Sequence, residues 1–91
     1  MGQASPFKPI ALVVEDDDLQ REMAVMLLEE SGMGVIQCES AEAALLVLEK
    51  MGGRFSLMFT DVNLSGRMGG VELAHFAHDC FPSLRACFES S

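Results

Sequence analysis

Ile10-Ala-Leu-Val-Val14 is an unbroken apolar run, and it stops at two acids, Glu15 and Asp16. A run this short, with no alternation of polar residues, suits a strand buried on both faces of a parallel sheet. The same arrangement returns in Phe55-Ser-Leu-Met-Phe-Thr60-Asp61, a mostly apolar run that also ends in an acid. In open parallel sheets, ligands bind outside the carboxyl ends of the strands, where the strand order reverses. The two stretches therefore bear on fold and site together.

Working outward, residues 1–9 hold Gly2, Pro6, Pro9 and polar residues, and read as a flexible N-terminal tail. The opening is close to a myristoylation pattern, but Pro6 stands where that pattern needs Ser or Thr. After the first strand, Asp17 and Asp18 cap a helix that runs to about Ser31 and ends at Gly32 and Gly34. Leu19, Met23, Met26, Leu27 and Glu30 fall at helical spacing, with Met23 and Leu27 the expected core contacts. A second strand follows over 35–38. Ser40 is a good N-cap for the next helix, with Glu42 near its positive end and Ala44, Leu45, Leu48 and Met51 as its apolar stripe. Gly52 and Gly53 stop it, and the third strand covers 55–60. A glycine-bearing loop over 63–70 leads to a helix over about 71–81, with Leu73, Phe76, Ala77 and Cys80 on one side. Pro82 ends that helix, and 84–88 is a fourth strand. The order β-α-β-α-β-α-β implies a parallel sheet with right-handed crossovers, without internal repeats.

Composition narrows the function. The 91 residues suffice for one small domain. A net charge of -8 argues against direct binding of nucleic acid or of an anionic membrane surface, and it favours cations. No apolar stretch approaches a membrane span, and no signal peptide is visible. Cys38, Cys80 and Cys87 are odd in number and form no CxxC, which fits a reduced, cytoplasmic setting and cysteines used as small core hydrophobes. The methionines read as gap-filling core. His75 and His78 fall on the outer face of their helix, which reads as solvated surface rather than as a metal site with Cys80.

With the first and third strands as neighbours, Glu15, Asp16 and Asp61 converge. Crowded carboxylates repel and raise one another's pKa. A hard divalent cation relieves the conflict, and magnesium prefers oxygen ligands and often pairs with phosphate oxygens.

These residues carry a family resemblance. Val13-Val14-Glu15-Asp16-Asp17 resembles the first strand and acidic pair of the receiver domains of two-component response regulators. Phe59-Thr60-Asp61-Val62-Asn63-Leu64 resembles their phosphoacceptor strand, and Gly66-Arg-Met-Gly-Gly70-Val-Glu-Leu-Ala74 their glycine loop and third helix. The resemblance implies a flavodoxin-like, doubly wound α/β fold with strand order 2-1-3-4-5. It also implies a non-enzymatic signalling module in which Asp61 accepts a phosphoryl group from a sensor histidine kinase or a histidine phosphotransfer protein. Mg2+ would be held by the carboxylates of Glu15, Asp16 and Asp61 and by the Asn63 backbone carbonyl. Ser90 falls where the family places a switch hydroxyl, although Glu89 before it is unusual. An aspartate nucleophile forming an acyl phosphate fits this chemistry.

Two departures stand out. Ser65 replaces the family's usual proline, which predicts a looser loop. The resemblance also stops at the fourth strand, so 10–91 reads as a truncated receiver domain lacking the last helix, strand and helix, on the order of 35 residues. The family's fifth-strand lysine would be missing with them, and Lys8 and Lys50 are elsewhere. The truncation predicts an exposed fourth-strand edge and a homodimer formed through it. Two other classes compete. One is a truncated receiver that takes no phosphate and only binds proteins. The other is a metal-dependent phosphatase, loosely similar in its Asp61-x-Asn63 spacing, which would need a second aspartate where Asn63 stands.

Overall fold

The computed structural model describes residues 8–64 and 66–89. Four parallel strands form one sheet: β1 (Ile10–Val14), β2 (Gly34–Cys38), β3 (Phe55–Asp61) and β4 (Arg85–Glu89), in the order β2-β1-β3-β4. The helices α1 (Asp18–Glu30), α2 (Ala41–Met51) and α3 (Gly70–Cys80) connect them, with a short 3-10 turn at Gly52–Arg54. The chain is thus a doubly wound α/β sheet. Of the tail expected over 1–9, only Lys8 and Pro9 are described; the Pro9 carbonyl accepts the Gly34 N–H at 2.8 Å, tying the start of β1 to β2.

The missing alternation in β1 now has its cause. Leu12 and Val14 point into the larger core with Leu48, Met58, Leu73 and Leu84, under α2 and α3. Val13 points the other way, against Ala24 and Val25 of α1. Both faces are covered, so every position must be apolar. Fully burying a side chain such as Leu48, Met58 or Leu73 stabilises the fold by about 1.5–3 kcal/mol.

Local signals set the helix ends. The Asp17 carboxylate accepts the Gln20 N–H at 2.9 Å and the Ser40 hydroxyl accepts the Ala43 N–H at 3.1 Å, so both caps form as read. Gly32 sits at φ +90° after α1, where residues with a Cβ are strained. Gly52 is required by space instead: a Cβ there would lie 2.3 Å from the Phe81 ring.

Several inward faces differ from the sequence expectation. On α1, Met23 and Leu27 are 56% and 66% exposed, and Ala24 and Val25 are buried instead. The helix carries two apolar stripes. The one made of small residues lets it lie close to the sheet, and the larger residues turn outward. On α3, Leu73 and Ala77 are buried as expected, but Ala74 takes the place given to Phe76 and Cys80, which are exposed. Of the cysteines only Cys38 is a core residue; Cys87 is exposed along with Arg85, Ala86 and Phe88 in β4, which ends the sheet. The fully buried methionine is Met58 of β3, whereas Met23 and Met26 face outward.

Candidate metal centre

Parallel pairing of β1 with β3 sets Val14 opposite Thr60. One step further along each strand stand Glu15 and Asp61, so the register carries both acids to the same carboxyl edge. Asp16 follows at once. One carboxylate oxygen from each of Glu15, Asp16 and Asp61 can be chosen so that all three lie within 4.8 Å of one another. Glu15 is 1% exposed and Asp61 2%, while Asp16 is partly open to solvent.

The backbone holds the site in place. Glu15 Oε2 accepts the Asp17 N–H at 3.0 Å, and Asp61 Oδ1 accepts the Asn63 N–H at 2.9 Å. Arg21 donates from Nη1 to the Glu15 carbonyl at 2.9 Å and from Nη2 to Asp18 at 2.6 Å. Its charge is thus directed at Asp18 and at main chain. Glu15 Oε1 is buried with no hydrogen-bond partner among the described residues. Burial, above all, pushes the Glu15 carboxyl up to about 7; the Asp17 N–H works against this, and the Asp61 charge and the closeness of the Asp16 and Asp61 carboxylates add to it. An unpaired buried oxygen beside two further carboxylates suits a hard cation with oxygen ligands. Magnesium ligands lie about 2.0–2.1 Å from the ion, so groups on opposite sides stand about 4 Å apart, within the span found here.

The start of α3 packs tightly against the end of β3. The Gly70 N–H donates to the Val62 carbonyl at 3.2 Å. A Cβ on Gly70 would lie 2.0 Å from the Asp61 carbonyl oxygen and 3.1 Å from Thr60 Oγ1, so only glycine lets α3 begin so near β3. The Glu72 carboxylate accepts the Gly69 N–H at 3.0 Å and caps the helix from inside. From α2, Glu42 Oε2 accepts the N–H groups of Arg67 and Met68. In the sequence Glu42 is only an acid at a helix start; nothing local marks a partner 25 residues away.

The other candidates sit elsewhere. Ser90 and Ser65 lie outside the described residues. Lys8 precedes β1 and Lys50 lies in the last turn of α2, so both are at the amino ends of the strands, away from the acids. His75 and His78 are exposed as expected, and line an open groove with Val71, Ala74, Ala86 and Phe88. Among the described residues, no group of three metal-binding side chains includes either histidine. No helix of the described residues is long and apolar enough to cross a membrane.

A family model described as "Response regulator receiver domain" matches residues 11–79. The comparison with curated proteins finds no match. Among solved structures, the chain is similar to a response regulator receiver protein from Pseudomonas putida, at 27% identity and a TM-score of 0.78, over 91% of this chain and 68% of that one. A receiver protein from Sinorhizobium medicae superposes with a TM-score of 0.86 at 20% identity, over 94% of this chain and 68% of that one. The response regulator TrrA from Thermotoga maritima, solved in complex with Mg(2+)-BeF, gives a TM-score of 0.79 at 24% identity, over 90% of this chain and 69% of that one. The chain thus spans about two-thirds of the length of each of these structures.

Proposed function

The chain belongs to the response regulator receiver domain family, and on that footing we propose that it is the phosphoacceptor module of a two-component phosphorelay. Asp61 is the acceptor. The donor is a phosphohistidine on a sensor histidine kinase or a histidine phosphotransfer protein. The observation that carries this reading is the convergence of Glu15, Asp16 and Asp61 at one sheet edge around a buried, unpartnered Glu15 oxygen.

A carboxylate oxygen of Asp61 attacks phosphorus, the phosphorus–nitrogen bond to imidazole breaks, and the imidazole leaves and takes up a proton. The product is an acyl phosphate on Asp61. Such transfers depend mostly on positioning and charge neutralisation. Glu15, Asp16 and Asp61, with the Asn63 carbonyl, would hold Mg2+, and the ion supplies the positive charge that offsets the phosphoryl oxygens. The Asn63 N–H on Oδ1 fixes the rotation of the Asp61 carboxylate, and burial keeps bulk water from the reacting oxygen. Ser90 is assigned the switch hydroxyl on the family resemblance.

Incubation with acetyl phosphate and Mg2+ tests the reading. The label goes to Asp61 alone, and Asp61→Asn abolishes it. Both lysines lie at the amino ends of the strands, so a polypeptide of these 91 residues labels slowly. Loss of one electrostatic contact to the reacting group commonly costs about a hundredfold in rate. Equal labelling of the variant and the wild type sinks the assignment. No labelling of the wild type favours a module that only binds proteins. We also propose that such a polypeptide binds a second copy of itself through β4, whose outer edge has no partner strand among the described residues.

A further inference from the structure

One side chain of α2 fastens the loop between β3 and α3. Glu42 Oε2 accepts the main-chain N–H groups of Arg67 and Met68, both at 3.2 Å. The carboxylate also packs on Gly66, whose φ is +108°; an added Cβ there would lie 3.1 Å from Glu42 Oε1 and 3.5 Å from Oε2. Three successive residues thus wrap one carboxylate, and positive φ at the first of them lets two N–H groups turn to the same oxygen. The bonds are charge-assisted, and Glu42 itself sits in the first turn of α2, where a negative charge is favoured.

What this loop carries gives the clasp its importance. On its near side, the Asn63 N–H lies on Asp61 Oδ1. On its far side, Gly70 packs on the Asp61 carbonyl and donates to the Val62 carbonyl. Both ends of the segment held by Glu42 therefore end on Asp61 or its neighbour. We infer that Glu42 is a positioning residue: by clasping Arg67 and Met68 it holds Asn63 and Gly70 in register around Asp61. The use of that register rests on the phosphoacceptor reading above, whereas the clasp does not.

The experiment compares wild type, Glu42→Ala and Glu42→Gln as full chains. Glu42→Ala keeps the buried core, because Glu42 points away from it, and its melting temperature stays within a few degrees of wild type. Its Mg2+ affinity falls about tenfold, the low end of what losing an outer support of a metal site costs. Glu42→Gln keeps an acceptor oxygen and restores most of the affinity, which a general loss of stability would not do. In NMR spectra the amide protons of Arg67 and Met68 move upfield in Glu42→Ala, and those of Asn63 and Gly70 move with them. A folded Glu42→Ala with wild-type Mg2+ affinity overturns the proposal. Should the wild type bind no Mg2+, the phosphoacceptor reading fails by itself and the amide shifts decide: the clasp stands if Asn63 and Gly70 move, and is overturned if they do not.

Discussion

Glu15 and Asp61 end adjacent parallel strands one residue beyond the paired Val14 and Thr60, and both carboxylates are buried on the same edge. Two like charges in a dry place cannot both ionise cheaply. Burial is the main reason that the Glu15 carboxyl is raised to about 7, with the Asp61 charge adding to it, and the raised carboxyl gives the chain a pH dependence.

A carboxyl whose folded pKa lies above its ordinary 4.5 holds a proton in the native state where the unfolded chain has lost it. Native stability therefore falls as pH rises from about 4.5 through about 7. In chelator, urea midpoints of the wild type should drop across that window by more than those of Glu15→Gln, which cannot ionise. Mg2+ competes with the proton, so its affinity should rise with pH over the same range. A wild type and Glu15→Gln with parallel profiles would remove Glu15 from the site.

Each acid of the cluster should matter to the ion separately. Calorimetric titration with Mg2+ should show weak binding to the wild type and a loss of about tenfold or more for Asp16→Ala and for Asp61→Ala, since each removes an oxygen ligand outright. Unchanged affinity in both variants would rule the site out.

Two glycines separate damage to the fold from damage to the site. Gly70→Ala forces a methyl against the Asp61 carbonyl, and Gly52→Ala forces one against the Phe81 ring. Overpacking of this kind costs about 1–3 kcal/mol, so both variants should melt earlier by a similar amount. Gly70 touches the strand end that bears Asp61, whereas Gly52 lies at the opposite end of α2 from the site. Mg2+ affinity should therefore fall in Gly70→Ala and survive in Gly52→Ala. Equal loss in both would mean that the ion reports only on global stability.

Much of this was legible in the sequence because the signals were local. The apolar run at 10–14, its stop at Glu15 and Asp16, and the caps at Asp17 and Ser40 each act within a few residues, and the sheet and the acid cluster followed from them. The inward face of α1 was not legible: Met23 and Leu27 make as good a stripe as Ala24, Val25 and Leu28, and only the nearness of the sheet chooses between them. Nor was the clasp of Glu42 on Arg67 and Met68, since any acid at a helix start serves the helix equally well. Cys80 and Cys87 differ from the sequence expectation because cysteine is usually buried, a tendency that says nothing about an outer helix face or a strand at the end of the sheet.

A polypeptide of these 91 residues should dimerise, and the register of β4 says how. The Glu89 carbonyl accepts the Val62 N–H at 3.0 Å, so residues 85, 87 and 89 turn their backbone groups toward β3. Ala86 and Phe88 then turn theirs to the open edge. A second copy running antiparallel, with the two-fold axis at Cys87, sets Ala86 opposite the partner's Phe88. Each such pair exchanges two hydrogen bonds, and Arg85 comes opposite the partner's Glu89. Opposite charges facing across strands add about 0.2–1 kcal/mol per pair. Cys87 faces the partner's Cys87 as a non-hydrogen-bonded pair, with Cα atoms about 4.5 Å apart, inside the range a disulfide spans. Sedimentation at micromolar concentration should show a dimer, and mild oxidation should crosslink it. Cys87→Ser should lose the crosslink and keep the dimer, Cys80→Ser should keep both, and Arg85→Glu should weaken the dimer. A compact monomer that binds no hydrophobic dye and forms no Cys87 crosslink would show that this edge is not sticky in solution, whatever its backbone offers.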